Sequence, residues 1–351
     1  MVLSYHEVIC MQTMLKNRNL PPLLPREEML ELLQREEYGY LPAPPEELHF
    51  ERGEKLSPNY CAGKAIGFKM RAHMKVNGQY FSFPFVYVAP NNGKKNPFFI
   101  HINFRPDVPD RYMPTEEIVD GGFGCISFCY EDVTKDNKPF NTGLASIFYP
   151  DGQRSGSDPG KIMLWAWAAM RLMDFAESCP ELDGAKGIVC GHSRLGKTAL
   201  LTAALDTRFA IAYSNDSGCS GASLSRGKSE KGESVAKITT TFPHWFCPNY
   251  LAYEGQVDKL PFDQHYLLAA IAPRCVFVGS ATEDHWADQL GEQLSCLAAA
   301  PAFPGGFVCD RVAAPDEVFD EGNIGYHLRT GTHYFSRQDW QRLMAFATKH
   351  L

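Results

Sequence analysis

Two kinds of hydrophobic periodicity follow one another along the chain. In residues 1–50, EEMLELLQREEY has the spacing of an amphipathic helix and is stopped by the proline-rich LPAPPEEL, which predicts a helix and then an extended arm packed on a core. Between Gly63 and Pro90, KAIGFKMRAHMKV and YFSFPFVYVAP read as strands around Asn77-Gly78, a pair that suits the two-residue turn of a β-hairpin. From Pro97 onward strands alternate with helices: FFIHINF, CISFCY, the helical KIMLWAWAAMRLMDFAES, GIVCGHS, the helical RLGKTALLTAAL, and FAIAYSND. After a polar insertion come a helical DQHYLLAAIA, the strand RCVFVGSA, a helix around QLGEQLSCLAAA, the short strand IGYHL and a last helix, SRQDWQRLMAFATKHL. This alternation predicts an α/β fold in residues 51–351, with a mostly parallel central sheet, helices on both faces and the hairpin at its start. No separate domain is expected in residues 1–50.

Composition narrows the function. With 44% hydrophobic and 21% charged residues over a length of 351, the chain can bury a large core, so bulk disorder is excluded. It carries 34 basic against 41 acidic residues and no long Lys/Arg run, which argues against a nucleic-acid partner. The longest apolar run, Ile162 to Met170, falls far short of the roughly twenty residues a bilayer requires, so no membrane partner is expected. An N-terminal apolar run from Val8 to Met11 is too short for a secretory h-region, which predicts a cytoplasmic protein. The 11 cysteines, an odd number without CxxC pairs, read as reduced thiols rather than a disulfide or zinc framework. Nothing in the pattern specifies an oligomeric state.

The most informative stretch is GIVCGHSRLGKTALLTAAL, where an apolar strand runs through a glycine-containing turn straight into a helix. In one reading Ser193 is a nucleophile at the elbow, followed by an amide at the helix start that can stabilise an oxyanion. The usual G-x-S-x-G becomes G-x-S-x-x-G, with Gly191 in its place and the second glycine displaced to Gly196. In a reading from another class, Gly191 to Thr198 matches the phosphate-cradling GxxxxGK[ST]. A P-loop normally follows an early strand, whereas this motif lies past the midpoint, and FAIAYSND is a poor Walker B strand. The plainest reading of Ser193 is a helix N-cap. Against it, the chain supplies an acid and a histidine in the order Ser, Asp, His of an α/β-hydrolase: His333 lies in HLRTGTHYF, between the last short strand and the last helix.

The segments NFRPDVPDRY, CGHSRLGKTAL, SNDSGCSG, FPHWF, DQHYLLAAIAPR, EDHWAD and GTHYFSRQDW together resemble the glucuronoyl esterases, carbohydrate esterases that cleave the ester between lignin alcohols and the glucuronic acid side groups of xylan. The resemblance runs from about Asn103 to the C-terminus. It implies an α/β-hydrolase fold, serine esterase chemistry with neither metal nor cofactor, and a small carbohydrate ester as substrate. It matches Ser193 to the nucleophile and Arg194 to an arginine that assists the oxyanion. Lys197 and Glu233 match residues that contact the sugar, and Trp286 matches an aromatic lining the uronate pocket. His244-Trp245 and Gln264-His265 read as architecture around that pocket. Left to ordinary chance, Lys197 would be a solvent-facing helix lysine and Trp286 a core residue.

Two carboxylates compete to orient His333. Asp284 follows RCVFVGSA, the customary acid position in an α/β-hydrolase, while Asp216 in SNDSG matches a place where many glucuronoyl esterases carry a glutamate. An aspartate there stops roughly 1.5 Å short of a glutamate, the length of one C–C bond, which favours Asp284. The leading expectation is therefore a serine carboxylesterase acting on glucuronate-bearing sugars; the nearest alternative is an acetyl esterase on O-acetylated xylan-type oligosaccharides.

Overall fold

The computed structural model describes residues 5–105 and 113–351, so most of NFRPDVPDRY lies outside the described residues. Strands β1 (Glu47–Lys55), β2 (Ala65–Val76), β3 (Gln79–Pro90), β4 (Asn96–Asn103), β5 (Gly124–Cys129), β6 (Leu182–His192), β7 (Phe209–Asn215), β8 (Cys275–Ala281), β9 (Val318–Phe319) and β10 (Ile324–Arg329) form one sheet. Their order is β1-β2-β3-β5-β4-β6-β7-β8-β10-β9. The stretch from β5 through β4, β6, β7 and β8 to β10 is parallel; β1, β2 and β3 at one side and β9 at the other are antiparallel. The expected α/β-hydrolase architecture, with its hairpin and mostly parallel sheet, is what the chain adopts.

Local chemistry explains the agreement. Val76 pairs with Gln79 across Asn77 and Gly78, whose φ values of 48° and 72° are those a primed two-residue turn demands. KIMLWAWAAMRLMDFAES is apolar almost all round and forms the helix Lys161–Ser178, of which nearly every residue is buried between the sheet and its neighbours. Helices Arg194–Leu205 and Arg337–His350 likewise fall where the pattern puts them, the latter started by a Ser336–Asp339 capping box. Among the described residues no helix is long and apolar enough to cross a membrane.

The N-terminal part differs from expectation in two respects, the first being a helix, Tyr5–Lys16, ahead of the expected one. The helix Arg26–Leu33 passes into a wider turn over Gln34–Tyr38, but after the prolines the chain joins the sheet as β1, which runs across the boundary expected at residue 50. Its sequence, ELHFERGEK, is mostly exposed, and such charge at an unpaired edge masks the alternation that would announce a strand. Buried polar contacts fasten the preceding segment. Trp167 Nε1 donates to the Ala43 carbonyl at 3.0 Å, the Tyr38 hydroxyl to the Ser220 carbonyl at 2.8 Å, and Gln264 Nε2 to both oxygens of Glu37 at 3.1 and 3.0 Å.

Glu37 is fully buried, and burial pushes its carboxyl from 4.5 up to about 7 despite hydrogen bonds from Gln264, Ser220 and Tyr250. The folded state therefore binds this proton more tightly than the unfolded chain. Its contribution to stability is complete below about pH 4.5 and is lost as pH rises through 7. Melting measured by circular dichroism between pH 5 and 8 should fall less for Glu37→Gln than for the wild type; identical slopes would remove Glu37 from the account.

Candidate active site

A single residue, Ser193, separates the end of β6 from the helix Arg194–Leu205. Its φ of 57° and ψ of −128° are strained for a side-chain-bearing residue, a cost on the order of 1–3 kcal/mol. Its hydroxyl makes no capping bond, so the N-cap reading fails; the backbone is held instead by Ser193 N–H donating to the Asn215 carbonyl at 2.8 Å. The reversal is tight enough that a Cβ at Gly191 would lie 2.2 Å from the Leu195 carbonyl oxygen. The displaced glycine has a reason too: a Cβ at Gly196 would come within 3.0 Å of Ser214 Oγ, where the helix crosses β7. The phosphate-loop reading is overturned here. One residue cannot form a cradle, and the Lys197 ammonium is turned into the protein, donating to the Ser217 and Cys219 carbonyls at 2.5 Å each and to Glu233 Oε2 at 3.2 Å.

His333, on the connection between β10 and the last helix, is half exposed and pairs through Nδ1 with Asp284 Oδ2 at 2.5 Å. Asp284, just past β8, is buried and also accepts from the Ala287 amide at 3.2 Å. Asp216 follows β7 with φ of 46° and is 1% exposed, and neither of its carboxyl oxygens has a hydrogen-bond partner among the described residues. Arg329 Nη2 lies 3.5 Å from it. Burial, and then the Glu292, Asp284 and Asp339 carboxylates, push the Asp216 pKa well above the ordinary aspartate value, against the lowering effect of Arg329. Ligand atoms of Asp216, Asp284 and His333 fall within 4.8 Å of one another, a spacing a cation could use. The 2.5 Å Asp284–His333 contact, however, has room for a shared proton and not for an ion between the two atoms.

The ring of His192 also lies beside the site. It is buried 4.3 Å, centre to centre, from the His333 ring, with Nδ1 bonded to Asn215 Oδ1 at 2.7 Å. Burial first, and His333 second, lower its pKa well below the usual histidine value, so it stays neutral.

Ser193, Asp284 and His333 share a cavity of about 330 Å³ with Lys197, Glu233 and Trp286. Lys197 is 3% exposed, which removes the solvent-facing alternative, and Trp286 is 47% exposed, which removes the core one. Glu233 is buried, with its amide donating to the Trp286 carbonyl at 2.8 Å, so these two residues are tied together at the cavity wall. Arg194 borders the same cavity with its guanidinium 4.7 Å above the Trp245 ring.

Two participants escaped the sequence reading. Asp136, from the unremarked TKDNKPF, ion-pairs with Arg194 and accepts from His244 Nε2 at 2.9 Å and Trp245 Nε1 at 2.7 Å. Glu292, on the helix Gln289–Ala299, accepts from the Ser217 and Gly218 amides at 3.0 and 2.9 Å and from Ser280 Oγ at 2.5 Å, pinning the loop that carries Asp216. FPHWF was the only signal near the first; for the second there was a charge on an otherwise buried helix face.

A sequence model of the family described as glucuronyl esterase, fungi, matches residues 73–303. The chain belongs to the glucuronoyl esterase family. It is 41% identical over 243 residues to the carbohydrate esterase MZ0003 of an unknown prokaryotic organism, covering 67% of this chain and 55% of that one. It is 28% identical over 270 residues to the 4-O-methyl-glucuronoyl methylesterase of Podospora anserina, with 74% and 51% covered. The chain thus spans about half the length of these curated relatives. Among solved structures, a promiscuous CE15 esterase from the marine bacterial metagenome superposes with a TM-score of 0.83 at 31% identity, over 93% of this chain and 91% of the other.

In this member of the glucuronoyl esterases the Lys197–Glu233 pair is buried on both sides, at 3% and 6% side-chain exposure. Removing one partner of such a pair leaves an uncompensated charge, at a cost of about 3–5 kcal/mol. Lys197→Met should therefore lower the denaturation midpoint sharply, and Lys197→Met/Glu233→Gln should recover much of the loss. Urea titrations of the wild type, Lys197→Met, Glu233→Gln and the double variant test this; additive losses would mean that the two side chains are not coupled.

Proposed function

We propose that the chain is a serine carboxylesterase that hydrolyses esters of glucuronate-bearing sugars through an acyl-enzyme. The observation that carries this reading is one cavity containing both the elbow serine with the Asp284–His333 pair and a polar and aromatic wall of Lys197, Glu233 and Trp286. Membership of the glucuronoyl esterase family supports it, as does the name of the Podospora relative.

In this mechanism His333 takes the Ser193 proton as the hydroxyl attacks the ester carbonyl, and later returns it to the leaving alcohol. Asp284 fixes the imidazole tautomer and stabilises the imidazolium. The first amides of the helix Arg194–Leu205, unpaired within the helix, and the Arg194 guanidinium face the charge that develops on the carbonyl oxygen. Water activated by His333 then resolves the acyl-enzyme. The Trp286 ring offers a flat apolar face to a pyranose, and Glu233, held by Lys197, offers acceptor capacity to sugar hydroxyls.

A fluorophosphonate probe should label Ser193, and Ser193→Ala should lose both labelling and hydrolysis of benzyl glucuronate while melting as the wild type does. Faster turnover of an acetylated xylooligosaccharide than of benzyl glucuronate would favour the acetyl esterase alternative, since a small acyl group has no use for the Lys197, Glu233 and Trp286 wall.

The two aspartates are separable by kinetics. Asp284→Asn should reduce kcat by about 100-fold or more, because the tautomer of His333 is then unsupported, whereas Asp216→Asn should cost less than about 10-fold. A larger loss from Asp216→Asn would transfer the acid role to that position.

A further inference from the structure

We propose that Asp136 is a positioning residue for the reaction, holding the Arg194 guanidinium against the cavity wall beside Ser193. This rests on the esterase reading above and on the geometry of one buried cluster. Asp136 Oδ2 pairs with Arg194 Nη1, while Oδ1 accepts from both His244 Nε2 at 2.9 Å and Trp245 Nε1 at 2.7 Å. The Asp136 side chain is 5% exposed. Its two oxygens are thus fixed from different directions, and the carboxylate cannot rotate away from the arginine.

The arginine is confined on its other sides by rings. Its guanidinium carbon lies 4.7 Å from the centre of Trp245, 5.5 Å from Phe242 and 5.7 Å from Phe104. Phe242 and Trp245 are themselves stacked face to face at 3.9 Å. Arg194 Nε is buried and has no acceptor among the described residues, which leaves Asp136, at Nη1, as the hydrogen-bonding anchor of the guanidinium. An arginine side chain has several rotatable bonds, and an unfixed guanidinium would spread its charge over many places. Held by Asp136 and the aromatic faces, it is already organised when charge appears on the substrate.

The loop that bears Asp136 is itself immobilised. Lys161, wholly buried at the start of its helix, donates Nζ to the carbonyls of Lys135, Asn137 and Pro139 at 2.5, 2.6 and 2.8 Å and to Asn137 Oδ1 at 2.8 Å. Burial would raise the Asp136 pKa, but the His244 hydrogen bond, the Arg194 charge and the Trp245 hydrogen bond outweigh it and hold the carboxyl well below the usual range. Asp136 therefore stays ionised wherever the enzyme would work.

The test is a cycle of wild type, Asp136→Asn, Arg194→Ala and the double variant, with kcat and KM measured on benzyl glucuronate and melting followed in parallel. Misplacing a catalytic charge by about 1 Å costs up to about 100-fold, so Asp136→Asn should lower kcat by about 10- to 100-fold with KM within about twofold. In the Arg194→Ala background the same change should add less than about twofold. Should Asp136→Asn fail to fold, His244→Gln loosens one carboxylate oxygen and should give a smaller kcat loss that also vanishes without Arg194. An active wild type with unchanged or raised kcat in Asp136→Asn, or with losses that multiply in full, overturns the positioning role alone. A wild type that turns over no ester and is not labelled at Ser193 overturns the esterase reading as well.

Discussion

Four carboxyl groups, Asp216, Asp284, Glu292 and Asp339, converge at the cavity, the first two lining it, all at 5% exposure or less. So many acids out of water cannot all be charged without partners, and the way each is satisfied sets the local layout. Asp339 takes Arg329 Nε at 2.9 and 3.1 Å and caps the last helix through Ser336. Glu292 takes two backbone amides and two serine hydroxyls, and Asp284 takes His333. Asp216 receives no hydrogen bond among the described residues, and burial pushes its pKa well above the ordinary aspartate value. Of the four, Asp284 is the one hydrogen-bonded to His333.

Arg329 links this arrangement to the backbone. Its Nη2 donates to the carbonyls of Thr332 and Tyr334 at 3.0 and 2.6 Å, one on either side of His333. The guanidinium that balances Asp339 thus also shapes the loop that presents the imidazole. Every charged group of the cavity comes from connections that follow strands of the parallel half of the sheet, at their carboxyl ends, where α/β sheets open a crevice. The antiparallel strands β1 to β3 widen the sheet and bury core, and they supply none of the cavity's residues.

What the sequence made legible was whatever is encoded over a few neighbouring residues. Helices Lys161–Ser178 and Arg194–Leu205 could be bounded from periodicity, and Ser193, Asp284 and His333 from their positions just after predicted strands. The preference for Asp284 over Asp216 rested on one bond length, and the hydrogen bond to His333 falls on Asp284. Contacts between distant segments stayed hidden. Asp136 meets residues more than one hundred positions away in sequence, and nothing in TKDNKPF distinguishes it from a loop acid. Lys197 was matched to a residue that contacts the sugar, but its burial stayed hidden because helical spacing gives a direction and not what lies in that direction; the loop from Ser217 to Cys219 covers it. β1 was missed because an edge strand protects itself with charge.

The backbone angle at Ser193 sets two selection pressures against each other. A residue without a side chain would sit at φ of 57° and ψ of −128° with less strain, whereas the chemistry proposed for the site needs an oxygen there. Selection for thermal endurance alone would favour glycine at this point of the chain. A serine at these angles therefore carries a backbone cost that a turn without chemistry to perform would have no reason to bear.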